Sequence, residues 1–268
     1  PGAAASEVAP RIRPAPPREW RPIPNRREVG PAEFWDALRN DRRLGARARE
    51  AIDIFSHLEG GRDVDRDSGA VGGITPSTLN RARTRIPETL QGVADPTALS
   101  DEQRVAVLRD NFDTEFAAAA RSRAIKQTNV TGTDIIDLIG NLPHEGTRET
   151  SAVIVDMMLR WGGSAALPRM QAAINRVLVR SERNLPPGLR RQPPLAGAFG
   201  RRTLDAITGL ITTGHGEALR QEIANEYAQL VAEERERRRR LGLPNNAGDD
   251  RRVAFLRALR LPPVGHGL

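Results

Sequence analysis

Residues 147–161 contain Ala152, Val153, Val155, Met157, Met158 and Leu159, and the segment is apolar almost all round. A helix of that kind is stable only where other elements cover every face. Gly162-Gly163 stops it. The rest of the chain must supply the cover, and its patterning is helical too. The 3.6-residue period predicts helices over 32–39, 44–58, 132–142, 166–180, 200–213, 216–241 and 250–260. In 44–58 the residues Ala51, Ile52, Ile54, Phe55 and Leu58 share one face. Thr75-Pro76 reads as a cap followed by proline at the first helical position, opening a helix through about Arg85. Ser100 and Gln103 have capping-box spacing and open a helix through about Ala124, striped by Val105, Leu108, Phe112 and Phe116.

Between the helices lie stretches that cannot be helix. Residues 1–32 are rich in proline and arginine, and proline removes backbone donors. They read as an extended arm that Trp20 and Ile23 anchor to a surface. Residues 60–73 hold five glycines and three aspartates and read as a loop or small β-hairpin. Pro186-Pro187-Gly188 through Pro193-Pro194 is the best domain boundary, so 183–195 is read as a linker and 261–268 as a tail.

Hydrophobic residues make up 38% of the chain and aromatic residues only 4%, so Leu, Ile, Val and Ala must fill the core. The net charge is +7, nearly all of it from arginine, with Lys126 the only lysine. A cationic surface is drawn to polyanions such as nucleic acid, anionic lipid or wall polymer. The chain has no cysteine, which excludes disulfides and thiolate metal sites. No run approaches the roughly 18 apolar residues of a membrane span. The N-terminal stretch lacks the apolar centre of a signal peptide, so action outside the cytoplasm would need another delivery route.

One segment carries chemistry: Glu59-Gly60-Gly61, an aspartate-rich loop, then Gly72-Gly73-Ile74-Thr75. Glu59 ends an apolar helix, and apolar neighbours favour the protonated form that a general acid needs. Asp67 falls in a polar, glycine-rich loop, where a carboxylate stays ionised. Two carboxyls in opposed environments are the pairing that glycoside hydrolysis uses. Thr75 adds a hydroxyl suited to holding a water. Asp63, Asp65 and Asp67 have the spacing that starts a calcium loop. Ser68 and Ile74, however, stand where such a loop wants glycine and glutamate. His57, beside the motif, reads as a structural or rim residue, and His144, His215 and His266 are too scattered for a metal site.

Glu59-Gly60-Gly61 followed by Gly73-Ile74-Thr75 and Leu79 resembles the signature of the glycosyl hydrolase 108 family of N-acetylmuramidases. Weaker likeness continues at Asn111-Phe112-Asp113, Val155-Asp156 and Gly162-Gly163. Residues 196–204 resemble the opening of the helical peptidoglycan-binding domain that often follows. The pattern departs from the family in three places. The loop between Glu59 and Thr75 is shorter, Arg62 replaces an aromatic, and Arg160 or Trp161 stands where an asparagine is expected.

The resemblance implies a mainly α fold. A lysozyme-like muramidase domain would span 33–182 with a hairpin or loop lip, and a small helical wall-binding domain would span 196–260. It implies Glu59 as catalytic acid with Asp67 and Thr75 assisting, peptidoglycan as substrate, and no cofactor. Delivery would come from a phage or phage-like particle, or from the host cytoplasm, with action on the wall in the periplasm. The arm over 1–32 would dock on a phage structural protein. The rival reading keeps the fold and drops catalysis, making the chain a structural part of a phage tail, baseplate or capsid. Nucleic-acid binding through the basic surface ranks last, because no recognised motif accompanies it.

Overall fold

The computed structural model describes residues 45–61, 63–65, 68–120, 130–190, 193–244 and 248–261. The arm and the helix expected over 32–39 lie outside them. The main helices are α1 (Ala46–Leu58), α2 (Pro76–Arg85), α3 (Asp101–Ala120), α4 (Gly132–Gly140) and α5 (Thr147–Trp161). They continue with α6 (Gly163–Arg180), α7 (Arg201–Leu210), α8 (Gly216–Arg240) and α9 (Gly248–Ala258). The chain is mainly helical. Between α1 and α2 the backbone makes two isolated antiparallel bridges, Val64 with Val71 and Val71 with Ile74, and no strand forms among the described residues.

Helix α5 is central, as its composition requires. It packs against α1, α3, α4, α6 and α8. From Thr147 to Met158 only Arg148 escapes full burial. Two of these neighbours meet each other at a glycine. A Cβ at Gly163, the first residue of α6, would lie 2.3 Å from the Glu115 carbonyl oxygen, so only glycine lets α3 and α6 approach this closely. The side chain of Glu115 in turn accepts from the Gly163 N–H (2.9 Å) and satisfies the start of α6.

Local caps set the other boundaries. Thr75 Oγ1 accepts from Thr78 N at the start of α2, with Pro76 next to it. Ser100 and Gln103 form the reciprocal box ahead of α3, and Thr131 and Asp134 repeat it ahead of α4. The start of α1 has Gly45 and no cap side chain of its own. Buried Asp137 of α4 accepts instead from Arg47 N and Ala48 N, both at 2.8 Å.

One hydrophobic cluster contains residues from both sides of 183–195. Asn175 of α6 bonds Leu195 through both its amide atoms (2.8 and 3.0 Å). The Phe199 ring lies 4.8 Å from that of Phe116. A short π-helical turn, Ile211–His215, with Gly214 at φ 83°, joins α7 to α8. Many arginines are consumed in pairing: Arg169, Arg176 and Arg180 on α6 face Glu222, Glu226 and Glu233 on α8. No helix among the described residues is long and apolar enough to cross a membrane.

Asp113 ties α3 to α4 by accepting from Thr133 N (2.8 Å) and Thr133 Oγ1 (3.2 Å). Burial pushes its carboxyl up from 3.8 to about 6, against the opposing pull of the Thr133 N–H and Arg109. An aspartate with a raised folded-state value binds more protons folded than unfolded. Its contribution is therefore full below pH 3.8 and is lost as pH rises through about 6. The stability gap between wild type and Asp113→Asn should shift by about 2–3 kcal/mol in favour of the variant between pH 4 and pH 7. Urea unfolding at the two pH values measures it, and a constant gap would refute the assignment.

Candidate active site

Glu59 follows the last turn of α1, and its N–H still donates to the Phe55 carbonyl (3.0 Å). The chain then reverses through Gly60 (φ 89°) and Gly61 (φ 61°), a left-handed pair that favours glycine. The second half of the motif returns to the same place. A Cβ at Gly73 would lie 2.6 Å from the Phe55 ring and 3.0 Å from Glu59 Cγ, and one at Gly72 would lie 2.7 Å from the Gly61 carbonyl. The glycines at both ends of the motif thus let the loop close directly on the glutamate.

The Glu59 carboxyl does not find the apolar surroundings expected of it. Its side chain is 19% exposed, and Oε1 accepts from Arg160 Nη1 (3.0 Å) and from Arg252 Nη1. Among the described residues Oε2 accepts no hydrogen bond. The difference arises because the end of α1 abuts α5 and α9, whose arginines are apolar in stem and charged at the tip.

Each guanidinium has a second carboxylate. Arg252 gives Nε and Nη2 to Asp156 of α5, with Nη2 at 2.6 Å, and its guanidinium carbon lies 5.1 Å from the centre of the Phe55 ring. Arg160 Nη2 reaches Asp249 Oδ1 at 2.7 Å. Burial pushes the Asp156 carboxyl above its ordinary value while Arg252 pulls it back. Burial works against the charge on Arg252, yet Asp156, Tyr227 and Glu59 together hold the guanidinium above its ordinary value. Arg160 follows the same pattern, with burial opposed chiefly by Glu59. Tyr227 of α8 closes the far side; burial, then Asp156, pushes its phenol up.

A cleft of about 270 Å³ opens at this cluster, lined by Glu59, Arg160 and Arg252 together with Leu58, Asp63, Val64, Asp65 and Asp249. Comparison of the chain with family models, with curated proteins and with solved structures gives no match. The site therefore has to be read from its own chemistry.

Of the three residues singled out in the sequence, the structure places one in the cleft. Thr75 is not part of its lining; its hydroxyl serves the cap of α2 and bonds the Thr78 hydroxyl (3.0 Å). Asp67 lies outside the described residues. Sequence reasoning missed Arg252 and Asp249, which come from the far end of the chain. Asp156 carried a signal, being a carboxylate in a helix otherwise read as buried, where a charge demands a partner.

Proposed function

We propose that the chain is a peptidoglycan hydrolase that cleaves the β-1,4 bond between N-acetylmuramic acid and N-acetylglucosamine, with Glu59 as general acid. One observation carries the reading. Glu59 is a mostly buried carboxyl in the lining of a cleft, with one oxygen fixed by two guanidiniums and the other uncommitted among the described residues. A general acid needs that division, because one oxygen is oriented and the other holds the proton.

In the proposed reaction the Glu59 proton passes to the glycosidic oxygen. The C1–O bond breaks with its electron pair on the leaving oxygen, and water adds to C1. The proton of that water goes to a second carboxylate, for which Asp67 is the candidate. One water is consumed, and no metal or cofactor enters these steps. The choice of peptidoglycan rests on the motif resemblance, and the net charge of +7 suits an anionic wall.

The hold of both arginines on Glu59 favours one other reading, an ion-pair lock on α1, α5 and α9 in a structural protein without turnover. Digestion of purified sacculi separates the two. Soluble fragments ending in reducing N-acetylmuramic acid are expected by mass spectrometry. Sacculi left intact between pH 4 and pH 8 would overturn the hydrolase reading.

A further inference from the structure

We propose that Asp156 is a positioning residue for Glu59, acting through the Arg252 guanidinium that the two carboxyls share. The inference rests on Glu59 being the acid. Asp156 is fully buried, sits about two and a half helical turns from the start of α5, and takes no part in the cleft lining. It touches Glu59 only by way of Arg252. That guanidinium is fixed on two edges: Nε and Nη2 bind Asp156, which leaves Nη1 for Glu59. A fork held this way has one orientation, and the Phe55 ring beneath it restricts tilt. The Glu59 carboxyl is thereby set by a group that the substrate does not meet.

Asp156 also sets how much positive charge Glu59 feels. The titratable groups around it are Arg252, Tyr227 and Glu59, with Arg160 and Asp249 completing the cluster. A carboxylate on the far edge of Arg252 offsets that guanidinium's charge. Removing it turns the whole charge on Glu59 and makes the proton harder to keep. Weakening the guanidinium does the reverse.

These opposite signs make the test. In the full chain with ¹³C-labelled glutamate carboxyls, Glu59→Gln identifies the Glu59 resonance, which is then followed against pH. Asp156→Asn should move its midpoint to lower pH by about one unit, a tenfold loss of proton affinity. Arg252→Lys keeps a charge but loses the fork, and should move the midpoint upward. The alkaline limb of kcat/KM on sacculi should follow the resonance in each variant. A merely structural Asp156 lowers stability and moves neither reading. Should Asp156→Asn fail to fold, Asp156→Ser, which also removes the carboxylate, carries the same expected downward shift. Unmoved midpoints overturn the positioning role whether or not the wild type digests sacculi. A moving resonance in a protein without turnover sustains the coupling and sinks the hydrolase reading alone.

Discussion

Glu59→Gln should lower kcat on peptidoglycan by about a thousandfold, within the range that loss of a general acid produces, and leave the fold intact. The amide oxygen still accepts from Arg160 and Arg252, so the geometry at the end of α1 survives. Each arginine also keeps its other partner, Asp249 or Asp156, so neither is stranded. What disappears is the transferable proton. Release of reducing sugar from sacculi gives kcat, and thermal unfolding checks the fold. A variant that keeps kcat within about threefold of wild type would remove Glu59 from the chemistry.

The part of this fold that was legible in the sequence is the part whose causes are local. Helix α5 occupies the 147–161 predicted for it, because an all-apolar period and a terminating Gly-Gly pair need no distant information. Thr75-Pro76 and the Ser100–Gln103 box mark the starts of α2 and α3 for the same reason. The motif glycines were visible, but their role in letting Gly72 and Gly73 close on Phe55 and Glu59 was not, since that depends on where the loop returns. The electrostatics of Glu59 were misjudged in kind. Nothing local to Asp156 says that its partner stands 96 positions later, and nothing local to Arg252 says that it reaches back 193 positions to Glu59. Ion pairs of that span exist only once α9 has docked against α1 and α5.

That docking supplies the largest expected effect on stability. Arg252→Met should destabilise the protein by about 3–5 kcal/mol, because it leaves Asp156 buried without its guanidinium. Methionine nearly fills the space of the arginine stem over Phe55, so little of the loss comes from packing. The neutral alternative is the control. Asp156→Leu/Arg252→Met removes both buried charges while Glu59 keeps Arg160 as its partner, and should recover to within about 2 kcal/mol of wild type. The pH dependence has a definite sign. Burial already raises Asp156 above its ordinary value, and loss of Arg252 leaves burial unopposed by its main partner. Protonation at low pH then removes the buried charge, so the deficit of Arg252→Met should shrink as pH falls toward the carboxylate range and widen toward neutrality. Urea unfolding of the two single variants and the double variant at pH 4.5 and 7.5 measures the cycle. Single losses that simply add in the double variant, with no pH dependence in the deficit, would mean that the Asp156–Arg252 pair does not hold α9 to the core.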